Sequence, residues 1–334
     1  MLAAMGEFDI IARYFTRPTA RAVLGVGDDC ALVLPTPGTQ LAISSDMLVE
    51  GRHFFADVDP FTLGHKALAV NLSDLAACGA TPVAFTLALA LPKADDAWLA
   101  PFSHGLFALA DAHGCELVGG DTTQGPLNIC ITVFGEVPVI NGKSQALLRS
   151  GARAGDDVYV SGTLGDARLA LQALRGALNL PAAVLAQARQ RLERPTPRVA
   201  LGQALRGVAS AALDLSDGLV GDLQHILQAS GVGATLDTSI AINLIAACNH
   251  SCWTADTIDP EKQLECVLAG GDDYELAFTA PVTAREAVHN AARLSGTPVT
   301  RIGRIDPEPG LRLVDAAGRP LAGRFSSFDH FAPA

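Results

Sequence analysis

The chain of 334 residues has room for two ordinary domains, and its 49% hydrophobic against 18% charged residues supply a buried core, which excludes a disordered chain. Twenty-four basic against 35 acidic residues leave a net charge of −11, and only Lys66, Lys93, Lys143 and Lys262 are lysines. With no basic stripe along a helix, sequence-independent binding to nucleic acid is not expected. Seven cysteines (30, 78, 115, 130, 248, 252 and 266) form no C-x-x-C pair and, mostly in apolar surroundings, read as reduced, buried thiols. Cys248-Asn-His250-Ser-Cys252 crowds three donors into five residues with no second cluster, so no zinc site is expected. Glu7 and Asp9 stand where a signal peptide would be basic and apolar, and the best apolar run, Val83–Leu91, is too short to span a bilayer. A cytoplasmic protein is expected.

In chain order, Phe8, Ile11, Ala12 and Phe15 share one face of a first helix over 7–15. Short strands follow at 30–34 and 40–44, the second running into Ser45-Asp46. A helix opens at Asp59-Pro60 and stops near Gly79, a strand covers 83–91, and a helix over 95–113 closes at Gly114. Strands are expected at 116–118 and 128–137. The turn-rich stretch 138–155 marks a boundary between an N-terminal domain, 1–140, and a C-terminal one, 141–334. In the latter come a strand at 157–161, a helix at 166–174, and a break at Arg194-Pro195-Thr196-Pro197, with Thr196 as cap of the next helix. A strand at 209–215, a helix at 217–230, a strand at 274–279, a helix at 283–294 and strands at 299–304 and 311–314 complete it. The pattern is two α+β domains with mixed sheets flanked by helices.

Acidic residues gather beside Gly or Ser where apolar runs end: Gly27-Asp28-Asp29, Ser44-Ser45-Asp46, Ser73-Asp74, Gly120-Asp121-Thr122-Thr123, Asp214-Leu215-Ser216-Asp217-Gly218 and Gly271-Asp272-Asp273. Any one of these reads as a turn former or a helix cap, with Ser216 or Asp217 capping the helix that follows. Six together, with few Lys or Arg nearby, are oxygen ligands suited to Mg²⁺, which retains waters and bridges phosphate oxygens. A P-loop is excluded: Gly142-Lys143-Ser144 is preceded by Gly135, with six residues between the two glycines where the motif needs four. The Rossmann, protein-kinase and G-x-S-x-G signatures are absent.

The strings GEFDIIARYF, GVGDDCA, AISSDMLVEGRHF, HKALAVNLSDLAACGA, GGDTTQGP, RSGARAGDDVYVSGTLGDA, ALDLSDGL, GGDDYELAFT and FDHF, in this order, resemble the thiamine-monophosphate kinases of the aminoimidazole-ribonucleotide-synthetase-like (PurM-like) superfamily. The resemblance implies a two-domain PurM-like α+β fold and a homodimer whose N-terminal domains pair their sheets. It implies ATP-dependent phosphorylation of thiamine monophosphate by direct, Mg²⁺-assisted in-line transfer, with active sites near the cleft between the domains. By the same resemblance Asp29, Ser44, Ser45, Asp46, Asp74, Asp121, Asp214 and Asp217 are metal ligands. Gly120, Asp121, Arg149 and Ser216 hold ATP, and His53, Asp272 and Phe328 face the acceptor. Asp272 stands where many relatives carry Glu, and Phe328 where some carry a larger aromatic. Read from the residues alone, His53 also suits a loop cap against Asp57 or Asp59, Arg149 an ion pair with Asp156 or Asp157, Phe328 a core position, and Asp28 support of its turn. A selenophosphate-forming synthetase fits less well, since no Cys precedes Cys30, and a purine-ring-closing one is not expected to combine GGDTTQGP with SSDMLVEGRHF. A non-catalytic nucleotide or thiamine-phosphate sensor would not need so many metal ligands.

Overall fold

The computed structural model describes residues 5–321 and 325, so Phe328 lies outside the described residues. The chain divides into two compact units, one running to Leu75 and resuming over Ala80–Gln145, the other made of Ala76–Gly79 and the chain from Ala146 onward. The first unit contains α1 (Glu7–Ile10), β1 (Ala22–Leu24), β2 (Leu32–Val33), β3 (Thr39–Val49), α2 (Pro60–Ala77), β4 (Thr81–Leu91), α3 (Asp96–His113), β5 (Glu116–Gln124), β6 (Asn128–Ile140) and β7 (Lys143–Ser144). Its main sheet has the order β3-β6-β4-β5, parallel only between β4 and β5, with β7 on β6 and a separate ribbon of β1 and β2.

Local chemistry explains where the helices start and stop. Asp59 accepts the N–H of Thr62 ahead of α2, and Gly79 beyond its end has φ +68°. Asp95 caps α3 through the N–H of Ala97, and Gly114 ends it in the left-handed conformation. The two helices approach closely: a Cβ on Gly64 would lie 2.0 Å from the Phe102 carbonyl oxygen, and one on Gly105 1.9 Å from that of Phe61. Leu63, Leu68, Leu72, Leu99, Phe102 and Leu106 of these helices are fully buried, as are Phe85, Ile129, Ile131 and Val133 of the sheet. Each such side chain contributes about 1.5–3 kcal/mol of transfer free energy.

The second unit contains β8 (Asp157–Ser161), α4 (Asp166–Leu174), α5 (Ala182–Glu193), α6 (Val199–Ala204), β9 (Ala211–Asp214), α7 (Leu219–Ser230), β10 (Gly233–Asp237), α8 (Thr238–Ala241), α9 (Pro260–Ala269), β11 (Leu276–Ala280), α10 (Arg285–Ser295), β12 (Val299–Asp306) and β13 (Gly310–Val314). Six strands form one sheet in the order β13-β10-β12-β8-β11-β9, parallel only between β10 and β13. The strands β8, β9 and β11 are buried along their whole length, and Leu169, Leu223, Ile226, Val267 and Ile302 fill the core around them.

Four expectations are corrected. The first helix winds as a π-helix over Ile11–Phe15, which turns Ile10, Tyr14 and Phe15 inward and leaves Phe8 81% exposed, so the expected 8/11/12/15 face is not the buried one. Two acidic segments expected at strand ends lie inside strands, because β3 runs on to Val49 along β6 and β5 to Gln124 along β4, where the ladder is continuous from Gly119 after a bulge at Val118. Thr196 does not cap α6; the helix starts two residues later, behind Arg198, whose guanidinium is drawn to Glu275. Of the seven cysteines only Cys115 and Cys266 are buried, while Cys30 and Cys252 are exposed. Among the described residues no helix is long and apolar enough to cross a membrane.

Candidate active site

In the first unit the acidic residues fall at two edges of one sheet. At the β5 edge a cavity of about 570 Å³ is lined by Asp28, Asp29, Gly119, Gly120, Asp121 and Thr122, with Phe8, Ile11 and Phe15 among its apolar lining. Gly120 has φ +145°, and a Cβ there would stand 1.9 Å from the Leu87 carbonyl oxygen, so only glycine lets β5 run this close to β4 on the way to Asp121. The chain leading toward the Asp28–Asp29 loop is tied to the same strand. Glu116, at the start of β5, accepts the N–H groups of Ala20, Arg21 and Ala22 at 2.7, 3.0 and 3.1 Å, anchoring the chain as it enters β1. Burial pushes the Glu116 carboxyl up, but those N–H groups and the Arg21 guanidinium outweigh it and hold it below its ordinary value.

At the opposite edge, β3 carries Ser44, Ser45 and Asp46. Asp46 pairs with Ile131 of β6, Ile131 with Leu87 of β4, and Leu87 with Gly120 of β5. Three strand spacings, about 14 Å along the sheet, therefore separate Asp46 from Gly120. Asp74, on α2, accepts the Ser44 hydroxyl. The Asp46 N–H donates to Oδ1 of buried Asn71, whose amide donates in turn to the Ala67 carbonyl. His53 accepts the Val49 N–H at Nδ1 (3.0 Å), the bond of a loop cap, made to its own strand end.

The donors at both edges are carboxylate and hydroxyl oxygens, the chemistry of a hard cation. Among the described residues no three His, Cys, Asp or Glu side chains lie close enough to hold a metal unaided. Oxygen donors of this kind are the ligands Mg²⁺ takes, one or two carboxylates with water and phosphate oxygens completing its shell.

In the second unit two loops interlock. Leu215 N–H donates to the Glu275 carbonyl, Tyr274 N–H to the Leu215 carbonyl, and Asp272 N–H to the Ser216 carbonyl, at 2.8–2.9 Å. Asp214, Ser216, Asp217 and Asp272 are thereby brought together. Asp272 and Tyr274 have φ +65° and +51°, left-handed values that side-chain-bearing residues adopt at a cost of roughly 1 kcal/mol or more, and the Tyr274 hydroxyl lies 3.3 Å from Asp272 Oδ1. Neither Ser216 nor Asp217 is the N-cap of α7; that position is Gly218. The loop is held instead by Asp222, and burial, opposed by its N–H donors, pushes this carboxyl up to about 6.

Behind the 272–275 loop, Glu275 is fully buried and takes hydrogen bonds from Arg191, both nitrogens of an Arg198 fork and Ser161, at 2.5–2.6 Å. Asp273, also buried, accepts the Gly165 N–H, and burial pushes its carboxyl well up. Arg149 makes no ion pair among the described residues. Its two expected partners are engaged elsewhere, Asp156 by Ser210 and the Arg153 N–H, Asp157 by Arg285 and Arg301. Asp222, Glu275, Arg191, Arg198, Glu116 and Asn71 are the supporting residues that sequence reasoning missed. The only signal for Arg198 was its place after the Pro-Thr-Pro break.

Residues 27–137 match the family model of the AIR synthase related protein N-terminal domain, and residues 153–316 that of its C-terminal domain. The thiamine-monophosphate kinase of Salmonella typhimurium is 46% identical over 334 residues, covering 98% of this chain and 99% of the relative. The crystal structure of thiamine-monophosphate kinase from Stenotrophomonas maltophilia superposes with a TM-score of 0.80 at 45% identity, over 91% of this chain and 94% of that one. The structure of AaThiL complexed with AMPPCP and TMP does so with a TM-score of 0.73 at 29% identity, over 89% of each chain. With both domain models matched in order and near-complete coverage at this identity, the chain belongs to the thiamine-monophosphate kinase family, on the two-domain PurM-like α+β fold.

Proposed function

We propose that this protein is an ATP-dependent kinase that converts thiamine monophosphate and ATP into thiamine diphosphate and ADP. The observation that carries the reading is the cavity lined by Asp28, Asp29 and Asp121 beside Gly119-Gly120, in a chain 46% identical to a thiamine-monophosphate kinase over nearly its whole length. An oxygen of the acceptor phosphate attacks the γ-phosphorus, and the bond from that phosphorus to the departing ADP oxygen breaks as the new one forms. The attacking oxygen is already ionised near neutral pH, so neither a strong general base nor a phosphoenzyme is needed. Asp29, Ser44, Ser45, Asp46, Asp74, Asp121, Asp214 and Asp217 would hold several Mg²⁺ ions. Bound there, they supply charge neutralisation for two polyanions carrying roughly five to six negative charges together.

Arg149 presents a planar donor fork to phosphate oxygens, and Ser216 and the Gly120-Asp121 backbone position the nucleotide. His53 and Asp272 serve the acceptor side, and the family resemblance adds Phe328 to that role. The Asp272 side chain is one methylene shorter than Glu, and the left-handed backbone at Asp272 and Tyr274 sets where its carboxylate stands. The protein works in the cytoplasm as a homodimer. The pairing surface is the outer face of β3, where Leu41, Ile43 and Met47 are 50%, 60% and 53% exposed.

The test is product analysis with ATP and thiamine monophosphate, first with Mg²⁺ and then with EDTA, using free thiamine and selenide as control acceptors. Thiamine diphosphate formed only from the monophosphate and only with Mg²⁺ is expected. ATP binding by folded protein without product would return the acceptor to question.

A further inference from the structure

The segment Ser216–Gly218 is folded around a single atom. Oδ2 of Asp222, a residue 5% exposed, accepts the N–H groups of Ser216, Asp217 and Gly218, each at 3.0 Å. Three consecutive donors converging on one oxygen leave the loop one shape. The Asp222 N–H donates back to the Gly218 carbonyl, so the clamp is locked to the first turn of α7. Ser216 then passes its position on, because its carbonyl accepts the Asp272 N–H at 2.9 Å. An ordinary cap would have used the side chain of a residue ahead of the helix. Here the cap comes from inside α7, and the hydroxyl and carboxylate ahead of it are not spent on that task.

We propose that Asp222 is a positioning residue for nucleotide binding, acting through the backbone of Ser216 and Asp217. The inference rests on the kinase reading above, in which those two side chains serve ATP and its metal. It also sets a requirement on the carboxylate itself. An asparagine keeps the shape and one acceptor oxygen but loses the charge that strengthens all three bonds.

A matched control lies in the same unit. Asp166 is fully buried and accepts the N–H groups of Ala246 and Ala247, both at 2.9 Å, but holds no residue assigned to ATP or metal. The experiment compares wild type, Asp222→Asn and Asp166→Asn in the full-length protein with Mg²⁺. It measures unfolding midpoints, the dissociation constant of a fluorescent ATP analogue, and KM for ATP and for thiamine monophosphate. Asp222→Asn is expected to weaken nucleotide binding by about tenfold and change KM for thiamine monophosphate by less than about twofold. Asp166→Asn is expected to lower the unfolding midpoint comparably with nucleotide affinity unchanged. Wild-type nucleotide affinity in folded Asp222→Asn, or equal weakening in both variants, would overturn the proposal.

Amide hydrogen exchange on the wild type provides a measurement that needs no variant. The N–H groups of residues 216–218 should be protected before nucleotide is added; protection appearing only with the ATP analogue would overturn pre-positioning. A wild type that binds the analogue but makes no thiamine diphosphate would sink the kinase reading alone. One that binds no nucleotide would sink both.

Discussion

The two units support their acidic segments in different ways. In the first, Ser44–Asp46 and Gly120-Asp121 sit within the long edge strands β3 and β5, each laddered to one partner strand before and after these residues. In the second, residues 214–218 and 270–275 lie at and beyond the ends of β9 and β11, backed by buried carboxylates, Asp222 and Glu275. A ladder is built from many neutral backbone bonds and survives the loss of one side chain. A clamp concentrates the same task in one charged group and fails with it. The first unit also uses carboxylate clamps, but for the chain around β1 and not for its acidic segments: Glu116 accepts the N–H groups of residues 20–22, and Glu136 that of Thr36 together with the Arg21 guanidinium.

The largest effect should come from a strand-borne carboxylate, and it should be one of activity alone. Asp121→Asn is expected to lower turnover by about 10²–10³-fold, the scale of one lost electrostatic contact to a transition state. Its unfolding midpoint should hold, since Asp121 is exposed and the ladder does not use its side chain. A midpoint that falls along with activity would erase the contrast between ladder and clamp.

Next comes the opposite case, in which a clamp residue breaks the fold. Glu275→Gln leaves Arg191 and Arg198 facing a neutral amide in a buried site, where removing one partner of such a network costs about 3–5 kcal/mol. Urea unfolding would register it, and a loss below about 1 kcal/mol would mean that water reaches these guanidinium groups.

Arg149→Ala should be smaller and confined to function. No ion pair among the described residues employs this guanidinium, so stability should not change. A lost charged hydrogen bond of about 1.5–3 kcal/mol predicts that KM for ATP rises by about tenfold or more. An unchanged KM for ATP would remove Arg149 from the nucleotide site.

The smallest effect is one of pH. The Glu116 carboxyl is held below its ordinary 4.5, so its contribution to stability is complete above that value and is lost as pH falls through the lower folded value. The stability gap between wild type and Glu116→Gln should therefore be widest near neutral pH and close as pH falls through the lowered folded value. A gap independent of pH would show that the anchor works by shape and not by charge.

Much of this was legible in the order of residues. Asp95 and Gly114 bracket α3 because a cap acts within a few residues of the helix end it serves. The acidic segments were legible as a set, although their setting was not. Ser44–Asp46 and Gly120–Thr123 have turn-like composition, yet eleven residues of β3 and nine of β5 stay extended because partner strands satisfy their backbone. The π-turn at Ile11–Phe15 shows the reverse: a good helical spacing was present, and one wider turn exchanged the buried face.

The sequence by itself determined two α+β halves, most element positions and the family, and it singled out the acidic segments as a set. All of these follow from composition, short-range pattern and motif. Only the tertiary structure decided which carboxylates face a cavity and which serve as clamps. Asp222 looks like any acidic residue on a helix until the preceding loop is seen folding back onto it. Glu275 finds its partners 84 and 77 positions away. A carboxylate's task depends on whether donors or water surround it, and that is settled when distant segments pack.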